Sequence, residues 1–214
     1  MIIVIGGEKG GTGKTTVATN LAAYRTMHNK KALLIDADKQ RSSTAWISTR
    51  NITKSNLTIP SVHILGETLD SDIQGFKSLY DDIIVDIGGS DSIELGAAMT
   101  VADKMYIPVQ ASQFDIWTLG LINELVPQVK TVNKLFDGRI IINRASTNPV
   151  VDEAQETIEV LSDFENLKVS KCILKDRIAY RKAAKSGLSV FELGKQYQKA
   201  IDEMKQLYEE IFNV

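Results

Sequence analysis

A chain of 214 residues with 43% hydrophobic and 24% charged side chains is long enough for one well-buried α/β domain, and no Pro/Gly/Ser-rich stretch marks a linker. A net charge of −2 excludes a generally basic nucleic-acid binder, so any such contact has to come from a local patch. The single cysteine, Cys172, excludes an internal disulfide, and no signal peptide or membrane-length apolar run is visible, so the sequons at Asn51 and Asn56 stay unused and the expected compartment is cytosolic.

In chain order, short β-branched runs predict strands at Ile2–Ile5, Ala32–Ile35, Val62–Leu65, Ile83–Ile87, Lys104–Val109, Arg139–Ile142 and Val169–Leu174. Helical patterns fill the gaps at Lys14–Met27, Leu69–Leu79, Glu94–Val101, Leu119–Leu135, Val151–Leu161, Arg177–Lys185 and Lys195–Phe212. Their alternation predicts an α/β fold, a mostly parallel sheet with helices on both faces, spanning residues 1–214 as a single domain. Polar residues gather at the carboxyl ends of the strands, where open α/β sheets bind ligands. Cys172, inside an apolar strand, reads as a structural thiol.

The first strand runs into Lys9-Gly10-Gly11-Thr12-Gly13-Lys14-Thr15-Thr16 and then into a helix. Gly10, Gly11, Thr12, Gly13, Lys14, Thr15 and Thr16 form a phosphate-binding loop: glycines let several N–H groups face one anion, and the helix adds its positive end. Lys14 would reach the β- and γ-phosphates, and Thr15 would offer its hydroxyl to magnesium. Glu8 stands where the common pattern has its first glycine.

With the second lysine, Lys9, the loop resembles the deviant Walker A group of P-loop NTPases, the ParA/MinD ATPases. The resemblance implies ATP and magnesium as ligands and a homodimer formed on ATP, with Lys9 crossing the interface to the partner's phosphates. One cysteine counts against the nitrogenase iron-protein relatives, which need a pair per subunit to bridge a cluster. The second strand ends in Asp36-Ala37-Asp38-Lys39-Gln40, which resembles the D-x-D-P-Q switch. By that likeness Asp38 positions the attacking water, Asp36 supports the magnesium shell, and Lys39 replaces the usual proline. Ile83-Ile84-Val85-Asp86-Ile87-Gly88-Gly89-Ser90 resembles a Walker B strand, with Asp86 holding a water on magnesium and the glycines sensing the γ-phosphate. The sequence from Asp86 to Ile93, and the run Met105 to Asp115, are similar to the small ParF-type plasmid partition ATPases.

Asn143 and Arg144 end the sixth strand, and Asn143 either reads adenine's edge or serves turn geometry. Arg144 either stacks on the base or sits in solvent. From Lys168 to Lys199 the net charge is +7, and Arg177, Arg181, Lys182 and Lys185 have the spacing of one basic helical face. With Lys171 and Lys175 they are the expected contacts for non-specific DNA, as the resemblance implies. The last helix is amphipathic but acidic, so packing on the sheet is expected and membrane binding is not. The resemblance implies a partition ATPase, nucleoid-associated in the cytoplasm, whose hydrolysis a ParB-like adaptor stimulates. The chain opens on its first strand, which argues against operator binding by an amino-terminal extension. Other cargoes, or an ATP-bound filament or scaffold, stay open as alternatives.

Overall fold

β-branched, apolar runs form strands β1 (Ile2–Ile5), β2 (Ala32–Ala37), β3 (Ser61–His63), β4 (Asp82–Ile87), β5 (Lys104–Val109), β6 (Asp137–Ala145) and β7 (Lys168–Lys175) in the computed structural model. Residues 1–53, 56–89, 92–111, 113–148, 150–151 and 153–213 are described, with the side chains of 92 and 113–117 outside that description. The strands make one seven-stranded sheet in the order β3-β2-β4-β1-β5-β6-β7. Every neighbouring pair is parallel. Strands β1, β2, β4 and β5 are buried at every position, which is why they read as unbroken apolar runs rather than as alternation.

The helices are α1 (Lys14–Met27), α2 (Ser42–Ile52), α3 (Leu69–Phe76), α4 (Ser92–Val101), α5 (Gln113–Val132), α6 (Glu153–Leu161), α7 (Ile178–Lys185) and α8 (Gln198–Phe212). Because successive strand residues face opposite ways, Ile3, Ile5, Leu34, Ile84 and Tyr106 pack against α1, α2, α7 and α8. Ile2, Val4, Leu33, Ile35, Ile83 and Val85 pack against α3 to α6. This is the expected α/β architecture. Cys172 lies in the first of these cores, where burial pushes its thiol up to about 12, as suits a structural thiol.

Several boundaries differ from the sequence expectation. Strand β6 runs to Ala145, through an irregular register with β7 between Ile142 and Ala145 that holds Asn143 and Arg144. Helix α5 begins at Gln113 and carries Pro127 inside it. Of the runs similar to the ParF-type ATPases, Ser112 to Asp115 lies outside the described side chains, as do Ser90 and Asp91 after Asp86.

Helix α2 was not anticipated, because its apolar pattern is broken by an arginine in a core position. Arg50 is 1% exposed. It donates to the carbonyls of Leu57 and Gly187, each at 2.9 Å, and to both carboxylate oxygens of Glu192 at 3.0 and 2.8 Å. Gly187, at φ +64°, lets the chain come this close, since a side chain there would sit 2.3 Å from the Arg50 nitrogen. The clamp ties α2 to the segment after α7. Burial works against the Glu192 charge, but Arg50 and Ser189 hold its carboxyl below the ordinary range. A carboxyl depressed in the folded state lends stability that is present above the unfolded glutamate range and lost as pH falls through the folded value. Arg50→Ala strands a buried carboxylate and is expected to cost about 3–5 kcal/mol, with a shallower loss of stability on the acid side than the parent. Urea titrations at pH 7 and pH 4 read both effects, and a parent-like midpoint at pH 7 would discount the clamp.

Helix α8 buries Ala200, Met204, Leu207 and Ile211 against the sheet, as expected. Its acidic residues do not simply face solvent. Glu210 accepts from the Lys171 N–H and the Ser170 hydroxyl, both at 3.0 Å, and Glu203 accepts from the Lys175 N–H at 3.3 Å. They thereby cover the open edge of β7. No described helix is long and apolar enough to cross a membrane.

Candidate functional site

The loop between β1 and α1 turns through Gly11 and Gly13, whose φ values of +78° and +93° lie where only glycine is unstrained. Gly13 is also pressed from behind, because a side chain there would meet Asn143 Nδ2 at 2.3 Å. Asn143 donates to the Thr12 carbonyl at 2.6 Å, and Arg144 Nη1 and Gln110 Nε2 donate to the Gly11 carbonyl at 3.0 and 3.2 Å. A planar trans peptide points its N–H opposite its carbonyl, so tying these two carbonyls toward β5 and β6 turns the Thr12 and Gly13 N–H groups the other way. That is the orientation an anion needs. Lys14, 7% exposed, donates from Nζ to the Lys9 carbonyl at 2.6 Å and closes the loop on itself.

Asn143, read from the sequence as either a base contact or a turn residue, and Arg144 both hold the loop. The Asn143 amide is buried, with Nδ2 on the loop and Oδ1 accepting from the Arg144 N–H at 2.9 Å. Both residues line the cleft, yet their polar groups are engaged in holding the loop's shape. Only the tertiary partner, 131 residues away, reveals this.

Asp36 and Asp86 are paired neighbours on β2 and β4, so their carboxylates project from the same face of the sheet. Their surroundings separate them. Asp36 Oδ2 accepts from the Thr44 N–H and hydroxyl at 2.7 and 2.8 Å, and Oδ1 accepts from the Asp38 N–H at 3.2 Å. Both Asp36 oxygens thus shape the turn into α2, beside the carboxylate of Asp86. Asp86 Oδ2 accepts from the Ser43 hydroxyl at 2.6 Å. Burial raises the Asp86 carboxyl to about 7, against the hydrogen bonds of Ser43 and Thr15, while Asp36 adds to the rise and Lys14 opposes it. A buried carboxylate beside the Thr15 hydroxyl is an all-oxygen donor set that suits magnesium.

Asp38 follows β2 and stands on the cleft wall with Gln40 and Ser42. Its Oδ1 accepts from the Gln40 N–H at 2.8 Å, and its carbonyl lies 3.2 Å from His63 Nε2. Gly89 touches the other side of the loop: a side chain there would come within 2.7 Å of the Gly10 nitrogen. These elements enclose a cleft of about 650 Å³, with Glu8, Gly10, Gly11, Gly13, Lys14, Thr15 and Thr16 on one side and Leu174, Tyr180 and Met204 on another. Ser43, Gln110 and His63 had no assigned role in the sequence reading. Ser43 carries the one available signal, since it follows Asp36 and Asp38 at short spacing on the same excursion from the sheet.

The expected DNA residues have different partners in the structure. Arg177 precedes α7 and is held by Glu203 at 2.9 and 2.7 Å, against α8. Arg181 pairs with Asp176 at 2.8 Å, and both line the nucleotide-sized cleft together with Lys175. Lys182 donates to the Tyr197 hydroxyl at 2.9 Å. Because Ala179 and Ala183 face the core, Arg181, Lys182 and Lys185 point outward from α7, while the Lys171 side chain is exposed on β7.

A parallel sheet with a glycine loop at the end of its first strand, a buried lysine, and an acidic neighbour strand defines a P-loop mononucleotide-binding protein. The chain belongs to the CobQ/CobB/MinD/ParA nucleotide-binding domain family, whose model matches residues 3–190. It is thus a member of the ParA/MinD group of P-loop ATPases, as the sequence resemblance implied. It is 27% identical to Maintenance of carboxysome distribution protein A of Halothiobacillus neapolitanus, over 98% of this chain and 95% of that one. It is 25% identical to the Chromosome-partitioning ATPase Soj of Treponema pallidum, over 88% of each chain. In three dimensions it superposes on an ATP complex of Cyanothece McdA with a TM-score of 0.77 and 18% identity, covering 100% of this chain and 96% of the other.

Proposed function

We propose that this chain is a ParA-type positioning ATPase that binds ATP and magnesium as one domain, dimerises on ATP, and travels on DNA without reading its sequence. The observation that carries this reading is α7. Arg181 lines the cleft while its outward neighbours Lys182 and Lys185 are exposed, so nucleotide and DNA would meet on one helix. Lys14 and the loop N–H groups would hold the phosphates, Lys9 would reach the partner's nucleotide, and Thr15 and Asp86 would hold magnesium, which would supply positive charge beside the γ-phosphate. Asp38 orients the attacking water. A ParB-like adaptor stimulates turnover and releases the dimer, in the cytoplasm and over the nucleoid. The cargo is a plasmid or chromosome in the first reading. A protein assembly is the second, favoured by the carboxysome-distribution relative at 27% identity over nearly the whole chain.

Fluorescence anisotropy with two unrelated duplexes at several salt concentrations tests the DNA step. With ATP and magnesium, both duplexes should bind alike. Lys182→Ala combined with Lys185→Ala should weaken both equally and flatten the slope of log affinity against log salt by roughly one unit per lost phosphate contact. Equal binding without nucleotide, or an undiminished double variant, would remove DNA from this face and leave the filament or scaffold reading in its place.

A further inference from the structure

Ser43 is 1% exposed, and its hydroxyl is spent on a carboxylate that belongs to another element of the fold. We propose that Ser43 is a positioning residue that couples helix α2 to Asp86, so that α2 responds when Asp86 engages a divalent cation beside bound nucleotide. The inference rests on the reading of Asp86 as the magnesium-facing carboxylate.

The first turn of α2 hangs on two adjacent sheet carboxylates. Thr44 is bound to Asp36 through both its N–H and its hydroxyl, and Ser43 is bound to Asp86 at 2.6 Å. The two attachments are unlike. Thr44 and Asp36 are eight residues apart and close a local turn, whereas Ser43 and Asp86 are separated by 43 residues and join α2 to β4. Asp86 is also the carboxylate of the pair that shares a hydrogen bond with Thr15 at the start of α1. A buried hydroxyl has one proton to donate, and a donor that loses the charge density of its acceptor must find another or move. Any reorientation of Asp86 is therefore felt at Ser43, the one of its two hydroxyl partners that lies on α2.

Helix α2 is built to carry such a movement. Its neighbour Ser42 lines the cleft. Three residues past Ser43, Trp46 is 6% exposed and donates from Nε1 to the Leu188 carbonyl at 3.3 Å. One turn further, Arg50 is clamped to Gly187 and Glu192. The far end of α2 is thus fixed to the segment that follows α7, the helix carrying Lys182 and Lys185. A displacement at Ser43 has a packed, hydrogen-bonded route to that region.

Trp46 is a natural reporter, because the sequence has only two tryptophans and Trp117→Phe leaves it alone. Adding magnesium to the ATP-bound Trp117→Phe protein should change Trp46 emission. Ser43→Ala should shrink that change several-fold and raise the magnesium concentration for half-response about tenfold, with ATP affinity in EDTA within about twofold of the parent. Ser43→Thr, which keeps the hydroxyl, should restore both. Hydrogen exchange over residues 43–50 of the unsubstituted chain gives a second readout, with protection rising on magnesium addition. Parent protein without a magnesium response in either measurement, or Ser43→Ala with a full one, overturns the coupling. Asp86→Asn separates the layers: unchanged magnesium dependence of ATP affinity in that variant would sink the reading of Asp86 and this proposal with it, whereas lost dependence beside a normal Ser43→Ala response would sink the coupling alone.

Discussion

Lys14→Ala is expected to abolish tight ATP binding. The ammonium is nearly buried, and it serves two ends at once: it holds the loop closed through the Lys9 carbonyl at 2.6 Å and supplies positive charge where the phosphates would lie. A phosphate chain drawn into the cleft without that charge would be desolvated and undercompensated. Truncating one partner of such a buried charge pair costs about 2–5 kcal/mol, so the affinity should fall by roughly two orders of magnitude or more. ATP-dependent dimerisation should fail with it. Isothermal calorimetry with ATP and magnesium measures the loss directly, and an affinity within a few-fold of the parent would remove the loop from the site.

Asp38→Ala should have the opposite signature, leaving ATP bound and hydrolysis slow. The phosphate contacts lie on the loop and the proposed magnesium contacts on Thr15 and Asp86, none of which passes through Asp38. Removing a group that orients or deprotonates the attacking water typically costs 10²–10⁴ in rate, and a loss of about that size is expected here. Asp38 also accepts from the Gln40 N–H at 2.8 Å, so alanine loosens the turn as well. Asp38→Asn separates the two effects, because an amide oxygen can keep that turn bond while the carboxylate charge is gone. Slow phosphate release from both variants at near-parental ATP affinity supports the water-orienting role. Rapid release from Asp38→Asn would assign the residue to the turn alone.

Much of the fold was legible because local chemistry and burial pattern agree. Strands β1 and β5 and helix α1 begin and end where the sequence places them, since short apolar runs and a glycine-to-lysine turn leave few alternatives. Helix α2 was illegible for a definite reason. Its Ser42-Ser43-Thr44 start is a weak helix former, and its inward position at residue 50 is an arginine whose partner lies 142 residues away. The partners of the basic stretch were hidden in the same manner, because spacing along the chain cannot show that Glu203 holds Arg177 while Asp176 pairs with Arg181.

What the sequence determined by itself was the phosphate loop, the parallel α/β order, the family, and the carboxylates at the ends of β2 and β4. These are contiguous in the chain, and their chemistry follows from backbone geometry and spacing. Tertiary structure alone decided which partners those carboxylates meet. Asp36 and Asp86 sit side by side in similar strand ends, yet one is bound by its own turn and the other meets Ser43 and Thr15 from two different helices. It also decided that Asn143 and Arg144 brace the loop, because a side-chain amide has the same donors whether it faces a base or a carbonyl. Only packing determines which of them it meets.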